Sequence, residues 1–229
     1  MKQNLVSMKN NIIEAGKRAY ARGYVAANDG NMSVRIDAKR ILITPTGVSK
    51  GFMKASGLVL VNMSGRIMSG KKKPSSELFM HLQIYKERTD VNSVCHLHPP
   101  YATGFAVAGI PLDQDVLSEA VIVLGKVSLV EYGTPGSEEL YSKLLLHLRD
   151  SDVFLLANHG ALTVGKDVFD AYNKMETLEH VAQIVFIAKQ LGNLNILSAE
   201  QVQKLTALRE KFGIKTNVRV HSGKIDSAE

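Results

Sequence analysis

Val91-Asn92-Ser93-Val94-Cys95-His96-Leu97-His98-Pro99-Pro100 is the stretch on which the reading of this chain turns. It is rich in apolar and β-branched residues and is closed by two prolines, so it predicts a strand over residues 91–98. Side chains alternate along a strand, which puts His96 and His98 on one face and Cys95 on the other. On a helix the same two histidines would lie on nearly opposite sides. A third histidine, in Asn158-His159-Gly160, follows a second apolar strand predicted over residues 153–157. Imidazole is a common metal ligand, and a catalytic zinc site usually takes three protein ligands and leaves one position open. His96, His98 and His159 are therefore candidate ligands of a divalent metal. Cys95 reads as a small buried hydrophobe.

The histidines need a fourth partner, and Glu77 is the best placed. Pro74-Ser75-Ser76-Glu77 opens a helix predicted over residues 77–88, with a serine cap and an acid in the first turn. A carboxylate there is favoured by the helix dipole, can reach a metal, and can act as a general base. The plainer reading is a first-turn Glu that only complements the dipole. Ser75 and Ser76 have the same double reading. One of them caps the helix, yet a helix N-terminus with two hydroxyls is also a phosphate site. Gly30-Asn31 and Thr46-Gly47 are two more small polar turns able to offer N–H groups to an anion. Each alone is explained as a turn. Three of them beside a metal site suggest a phosphorylated substrate.

The rest of the chain reads as one α/β domain over residues 1–215, with a polar tail over 216–229 that lacks a hydrophobic pattern. Helices are predicted over 5–22, 101–108, 137–148, 167–190 and 199–212. In the first of these Met8, Ile12, Ala15 and Ala19 share one face. Strands are predicted over 32–36, 40–43, 58–62 and 127–132, and Gly65-Arg66-Ile67-Met68 pairs back as a hairpin. Strands mixed with helices predict a central sheet with helices on both faces.

Composition narrows the function classes. The 229 residues are 45% hydrophobic, enough for a sizeable core, and the formal net charge is +6. The basic residues are dispersed, and the one cluster, Lys71-Lys72-Lys73, has no aromatic-rich strand beside it, which argues against a nucleic-acid surface. That cluster reads as a solvated turn or as a local field for phosphorylated substrates. A single cysteine allows no intramolecular disulfide and fits a reducing cytosol. No apolar run approaches the ~20 residues that span a bilayer, and the first residues lack a signal-peptide core. The expectation is a cytoplasmic protein with no membrane or nucleic-acid partner. Tyr101, Tyr132 and Tyr172 read as packing residues.

At this point the ordered motifs resemble a family. Asp29-Gly30-Asn31-Met32-Ser33-Val34-Arg35, Ile43-Thr44-Pro45-Thr46-Gly47 and Lys73-Pro74-Ser75-Ser76-Glu77 come first. His96-Leu97-His98-Pro99-Pro100-Tyr101-Ala102-Thr103, Tyr132-Gly133-Thr134-Pro135-Gly136-Ser137 and Ala157-Asn158-His159-Gly160 follow. The series, over roughly residues 8–212, is similar to the class II (zinc-dependent) aldolases and epimerases typified by L-fuculose-1-phosphate aldolase and L-ribulose-5-phosphate 4-epimerase.

The resemblance implies a single α/β domain with a central, largely antiparallel sheet between helical layers. It implies that His96, His98 and His159 bind zinc (manganese or cobalt being the alternatives). Glu77 would be the fourth ligand at rest and the acid/base when substrate displaces it. Asn31, Thr46, Gly47, Ser75 and Ser76 would hold the substrate phosphate. The implied reaction is cleavage of a ketose 1-phosphate to dihydroxyacetone phosphate and an aldehyde through a metal-stabilised enediolate. Homotetramers with active sites between neighbouring subunits are implied as well.

Glu77 stands where the epimerases carry an aspartate, which favours the aldolase branch. The fuculose aldolases carry one tyrosine near Asp113–Asp115 and another near the C-terminus. Here no tyrosine follows Tyr172. Dehydration of a 5-substituted ribulose 1-phosphate is the runner-up reading, and sugar-phosphate epimerisation a further one.

Overall fold

The structure is a computed structural model that describes residues 4–212 and Ile214. The expected polar tail over 216–229 lies outside the described residues. The strands are β1 (Asn31–Asp37), β2 (Arg40–Ile43), β3 (Val59–Asn62), β4 (Ile67–Ser69), β5 (Ser93–Leu97), β6 (Val127–Val130), β7 (Val153–Leu156) and β8 (Gly160–Gly165). They form one sheet in the order β4-β3-β2-β1-β5-β8-β7-β6. All neighbours pair antiparallel apart from β6 and β7, which are parallel. A parallel pair needs a crossover, and the helix Glu138–Leu145 supplies it.

The helices are α1 (Leu5–Ala21), α2 (Leu78–Glu87), α3 (Pro100–Ala108), α4 (Glu138–Leu145), α5 (Val168–Leu191) and α6 (Ala199–Lys211). Strand alternation sorts the core into two layers. Met32, Val34, Leu42, Cys95 and Leu97 pack on one side with Ile12, Ala15 and Ala19 of α1, Phe105 of α3, and Tyr172, Met175 and Leu178 of α5. Ile41, Ile43, Val94, Phe154 and Leu156 pack on the other with Leu82 and Tyr85 of α2 and Leu140 and Leu144 of α4. The expected sheet between helical layers is what forms, and Cys95 is buried in the layer opposite to His96.

Local chemistry sets the helix ends. Asn4 caps α1 by accepting from the Ser7 N–H at 2.9 Å, and Asp167 caps α5 by accepting from the Asp170 N–H at 2.9 Å. Pro100 opens α3 at the one helical position that suits it, and Gly109, at φ 66°, closes it.

Three features differ from expectation. β5 ends at Leu97, because the His98 N–H leaves the sheet and donates to the Tyr24 carbonyl at 3.0 Å. α2 begins at Leu78, so Glu77 stands at the cap and not in the first turn, and its carboxylate makes no capping bond. The Ser75 hydroxyl accepts from the Glu77 N–H at 3.2 Å instead, which leaves the Glu77 side chain free to turn inward. β8 is an added strand, and it carries the polypeptide away from His159 in register with β5, with Leu97 opposite Ala161.

Candidate metal centre and substrate recess

Four elements end at one point. Asn31 and His96 are register partners at the same end of β1 and β5. His98 lies just past the end of β5. His159 sits in the turn between β7 and β8, next to Asn158, whose φ of 56° is a left-handed conformation that Asn tolerates well. Gly160 is needed beside it for space. A Cβ there would lie 2.5 Å from His98 Cδ2 and 2.8 Å from the Leu97 carbonyl oxygen. Glu77 enters from the start of α2.

The distances suit a divalent cation. His96 Nδ1–H donates to the Ala161 carbonyl at 2.9 Å, which leaves the Nε2 lone pair facing inward. His96 Nε2 lies 3.2 Å from His98 Nε2 and 3.2 Å from Glu77 Oε2. Glu77 Oε1 lies 3.6 Å from His159 Nε2. The three histidines offer ligand atoms within 4.8 Å of one another. Tetrahedral donors at the usual zinc distances are about 3.3 Å apart, close to the shorter separations here. Glu77 Oε1 and His159 Nδ1 are buried without a hydrogen-bond partner, and a cation at the common focus would satisfy the carboxylate. The donor set, three imidazoles and a carboxylate, is the kind that zinc accepts. Asp29 Oδ2 lies 3.6 Å from His98 Nδ1, the place of a carboxylate that steadies a ligating imidazole from behind.

Electrostatics prepare the ligands. Burial pushes the Glu77 carboxyl up, but the charge and hydrogen bond of His96 outweigh it and hold Glu77 well below the usual carboxylate range. Burial pushes His96 down, and the Glu77 charge reverses this, so the net shift is upward. Burial, then the charge of His96, takes His98 and His159 down to about 4. Glu77 thus favours the charged form of His96, while burial keeps the His98 and His159 imidazoles neutral and ready to bind.

A stability effect follows. Between about pH 6.5 and pH 4 the unfolded chain binds protons on His98 and His159 that the folded chain refuses, so stability falls as pH falls. Glu77, with its lowered value, contributes stability that is present above its unfolded value and lost with acid. His96, with its raised value, contributes stability that is fully present below its unfolded value of about 6.5 and is lost as pH rises through its folded value, so it opposes the trend only above this window. Melting of the chelator-treated protein should drop from about pH 6.5 to about pH 4. A melting temperature that rises over this window contradicts the assignment.

The remaining candidates gather beside the centre. The Thr46 N–H donates to the Lys73 carbonyl and the Ser75 N–H to the Thr44 carbonyl, both at 3.1 Å, which binds the two turns together. Thr46, Gly47, Ser75 and Ser76 thus line one recess of about 380 Å³ with Glu77 and His159. That volume lies in the range of small-molecule sites. Thr46, Gly47 and Ser76 are exposed to solvent, while Ser75 is buried. Asn31 lies on the same wall, but its amide is engaged with Glu77 and with His81.

Sequence reasoning missed His81 as part of the site, although its place four residues after Glu77 puts both on one helical face. It also missed Lys50, a buried ammonium whose Nζ donates to the Asn28 carbonyl at 2.6 Å and the Val48 carbonyl at 2.8 Å. Lys50 ties the turn that carries Asp29 to the turn that carries Gly47, and burial brings its amine down to about 8. A lysine in Gly47-Val48-Ser49-Lys50 gave no periodic signal that it would be buried.

Comparison with known proteins agrees with this geometry. Residues 10–186 match the family described as class II aldolase and adducin N-terminal domain. An L-fuculose phosphate aldolase of Methanococcus maripaludis (strain C7) is 40% identical over 181 residues, covering 79% of this chain and 97% of that protein. A 3-oxo-tetronate 4-phosphate decarboxylase of Haemophilus influenzae is 34% identical, covering 79% of this chain and 88% of its own. A solved structure of an L-fuculose 1-phosphate aldolase superposes with a TM-score of 0.82 at 32% identity, covering 90% of this chain and 96% of the other.

Proposed function

This chain belongs to the class II aldolase and adducin N-terminal domain family, in its L-fuculose-phosphate aldolase-like branch, and from that premise we propose that it is a zinc-dependent lyase. It cleaves a ketose 1-phosphate to dihydroxyacetone phosphate and an aldehyde. The observation that carries the reading is Glu77: a buried carboxylate with one unpartnered oxygen, set among three converging imidazoles, at the wall of a recess rich in hydroxyls.

His96, His98, His159 and Glu77 hold the metal, zinc by preference, with manganese or cobalt as alternatives. A divalent cation there supplies a Lewis acid for the substrate's ketone oxygen. Thr46, Gly47, Ser75 and Ser76 hold the phosphate through hydroxyl and backbone N–H groups, and Asn31 steadies Glu77 at the edge of that cradle. A phosphate held there fixes the reacting carbons relative to Glu77. As the C3–C4 bond breaks, its electron pair stays on C3 and the C4 hydroxyl gives up its proton to become the aldehyde; the Glu77 carboxylate takes up that proton and returns one to C3, which leaves Glu77 ionised again. We extend the reading to a homotetramer with sites between neighbouring subunits, acting in the cytoplasm. Among the described residues no helix is long and apolar enough to cross a membrane.

The test is a panel of ketose 1-phosphates, including deoxy forms, given to the purified protein. The expected result is release of dihydroxyacetone phosphate, abolished by a chelator and restored by zinc. The decarboxylase relative supports a second reading at the same site, because loss of CO2 from a 3-oxo acid phosphate also leaves an electron pair on the carbon beside the ketone. Gas release from such a substrate, without aldehyde from any ketose 1-phosphate, would select it. Loss of water alone would select the dehydratase.

A further inference from the structure

Glu77, His81 and Tyr85 stand four residues apart on α2, so one helical face presents a carboxylate, an imidazole and a phenol to β1. Asn31 and Ser33, two apart on β1, fill the gaps between them. Four hydrogen bonds join the five side chains into one line. Asn31 Nδ2 meets Glu77 Oε2 at 2.8 Å, and Asn31 Oδ1 meets His81 Nε2 at 2.5 Å. Ser33 Oγ meets His81 Nδ1 at 2.7 Å and the Tyr85 hydroxyl at 2.8 Å. His81 and Ser33 are 0% exposed.

The direction of every proton follows from one end. An ionised carboxylate only accepts, so Asn31 must turn its NH2 to Glu77 and its carbonyl to His81. A carbonyl only accepts, so His81 carries its proton on Nε2. Its Nδ1 then accepts from the Ser33 hydroxyl, and Ser33 Oγ accepts from the Tyr85 hydroxyl. The protons all point toward Glu77. A flipped Asn31 would set its carbonyl against the carboxylate in a buried place, where an unmade hydrogen bond is costly. Burial also keeps His81 neutral, down to about 3, the form that donates with one nitrogen and accepts with the other.

We propose that His81, oriented by Ser33 and Tyr85, is a positioning residue of the metal centre: it locks the Asn31 amide so that Glu77 is held with its carboxylate aimed at the metal position. The inference rests on Glu77 as a ligand. A buried histidine that served packing alone would have no need of a fixed tautomer, and its polar partners could be replaced together by apolar ones at little cost.

The test uses the full chain and zinc alone, in competition with a chromophoric chelator, together with nitrogen–proton correlation of the histidine rings. His81 should appear as the neutral Nε2–H tautomer. Ser33→Ala and His81→Leu should weaken zinc binding by about 10–100-fold, the usual effect of removing a partner behind a ligand. Ser33→Thr, which restores a hydroxyl, should recover most of it, and Tyr85→Phe should cost less than Ser33→Ala. A parent protein that binds zinc, with folded Ser33→Ala binding it equally well, overturns the positioning role and leaves the metal reading intact. A parent that binds no zinc overturns both. An Nδ1–H tautomer at His81 overturns the positioning role even where His81→Leu fails to fold.

Discussion

Glu77→Gln lowers the turnover of the phosphorylated ketose by about 10²–10⁴-fold while a divalent cation stays bound, the range a general acid–base residue contributes. A thousandfold loss corresponds to about 4 kcal/mol in the barrier. Gln keeps the size of Glu, and its carbonyl can accept the bond that Asn31 Nδ2 makes to Glu77 Oε2 at 2.8 Å. The change therefore removes a charge and a carrier of protons and leaves the packing alone. It also removes the charge that raises His96, which leaves burial to push that ring down. Turnover measured with metal content on the same sample separates the roles. Full activity with metal retained contradicts the acid–base assignment. Lost activity that returns at high zinc concentration makes Glu77 a ligand only.

The convergence of the three histidines was legible because its signal is local. The spacing of His96 and His98 has meaning only on a strand, and Pro99-Pro100 marks where that strand must stop. Glu77 was found from the serine pair before it, yet for a reason the structure revises. A carboxylate in the first turn would face the helix dipole, whereas at the cap, with its N–H taken by Ser75, it faces the histidines. β8 was not legible. Gly160-Ala161-Leu162-Thr163-Val164-Gly165 is buried on both faces, so it lacks the alternation that marks a half-exposed strand, and it follows β7 after only three residues. The π-helical turn Ala120–Leu124 is a β-branched run that fits neither period. The line from Tyr85 to Glu77 was out of reach for another reason. His81 and Glu77 are neighbours on a helix, but Asn31 and Ser33 join them only once the sheet has brought β1 against α2, 46 to 52 residues away in sequence.

His96→Gln should have the larger effect on the metal itself. His96 is the proposed ligand with no exposure to solvent, it is 3.2 Å from both His98 and Glu77, and its Nδ1–H is engaged by the Ala161 carbonyl. Apparent zinc-binding energies of about 10–16 kcal/mol for four-ligand sites give roughly 2.5–4 kcal/mol per ligand, so its loss weakens zinc by about 10²–10³-fold. The readout needs no substrate. Zinc at about 1,000 times its dissociation constant stabilises a folded protein by about 4 kcal/mol. At the same zinc concentration the variant gains only about 0.4–1.4 kcal/mol. The zinc-induced rise in melting temperature should therefore largely vanish, and cleavage of the ketose phosphate should vanish with it. An equal rise in parent and variant would place zinc elsewhere on the chain. A rise that is lost for His96→Gln yet kept for a distant histidine such as His180 would tie the thermal effect to this centre, because among the described residues only there do three imidazoles converge.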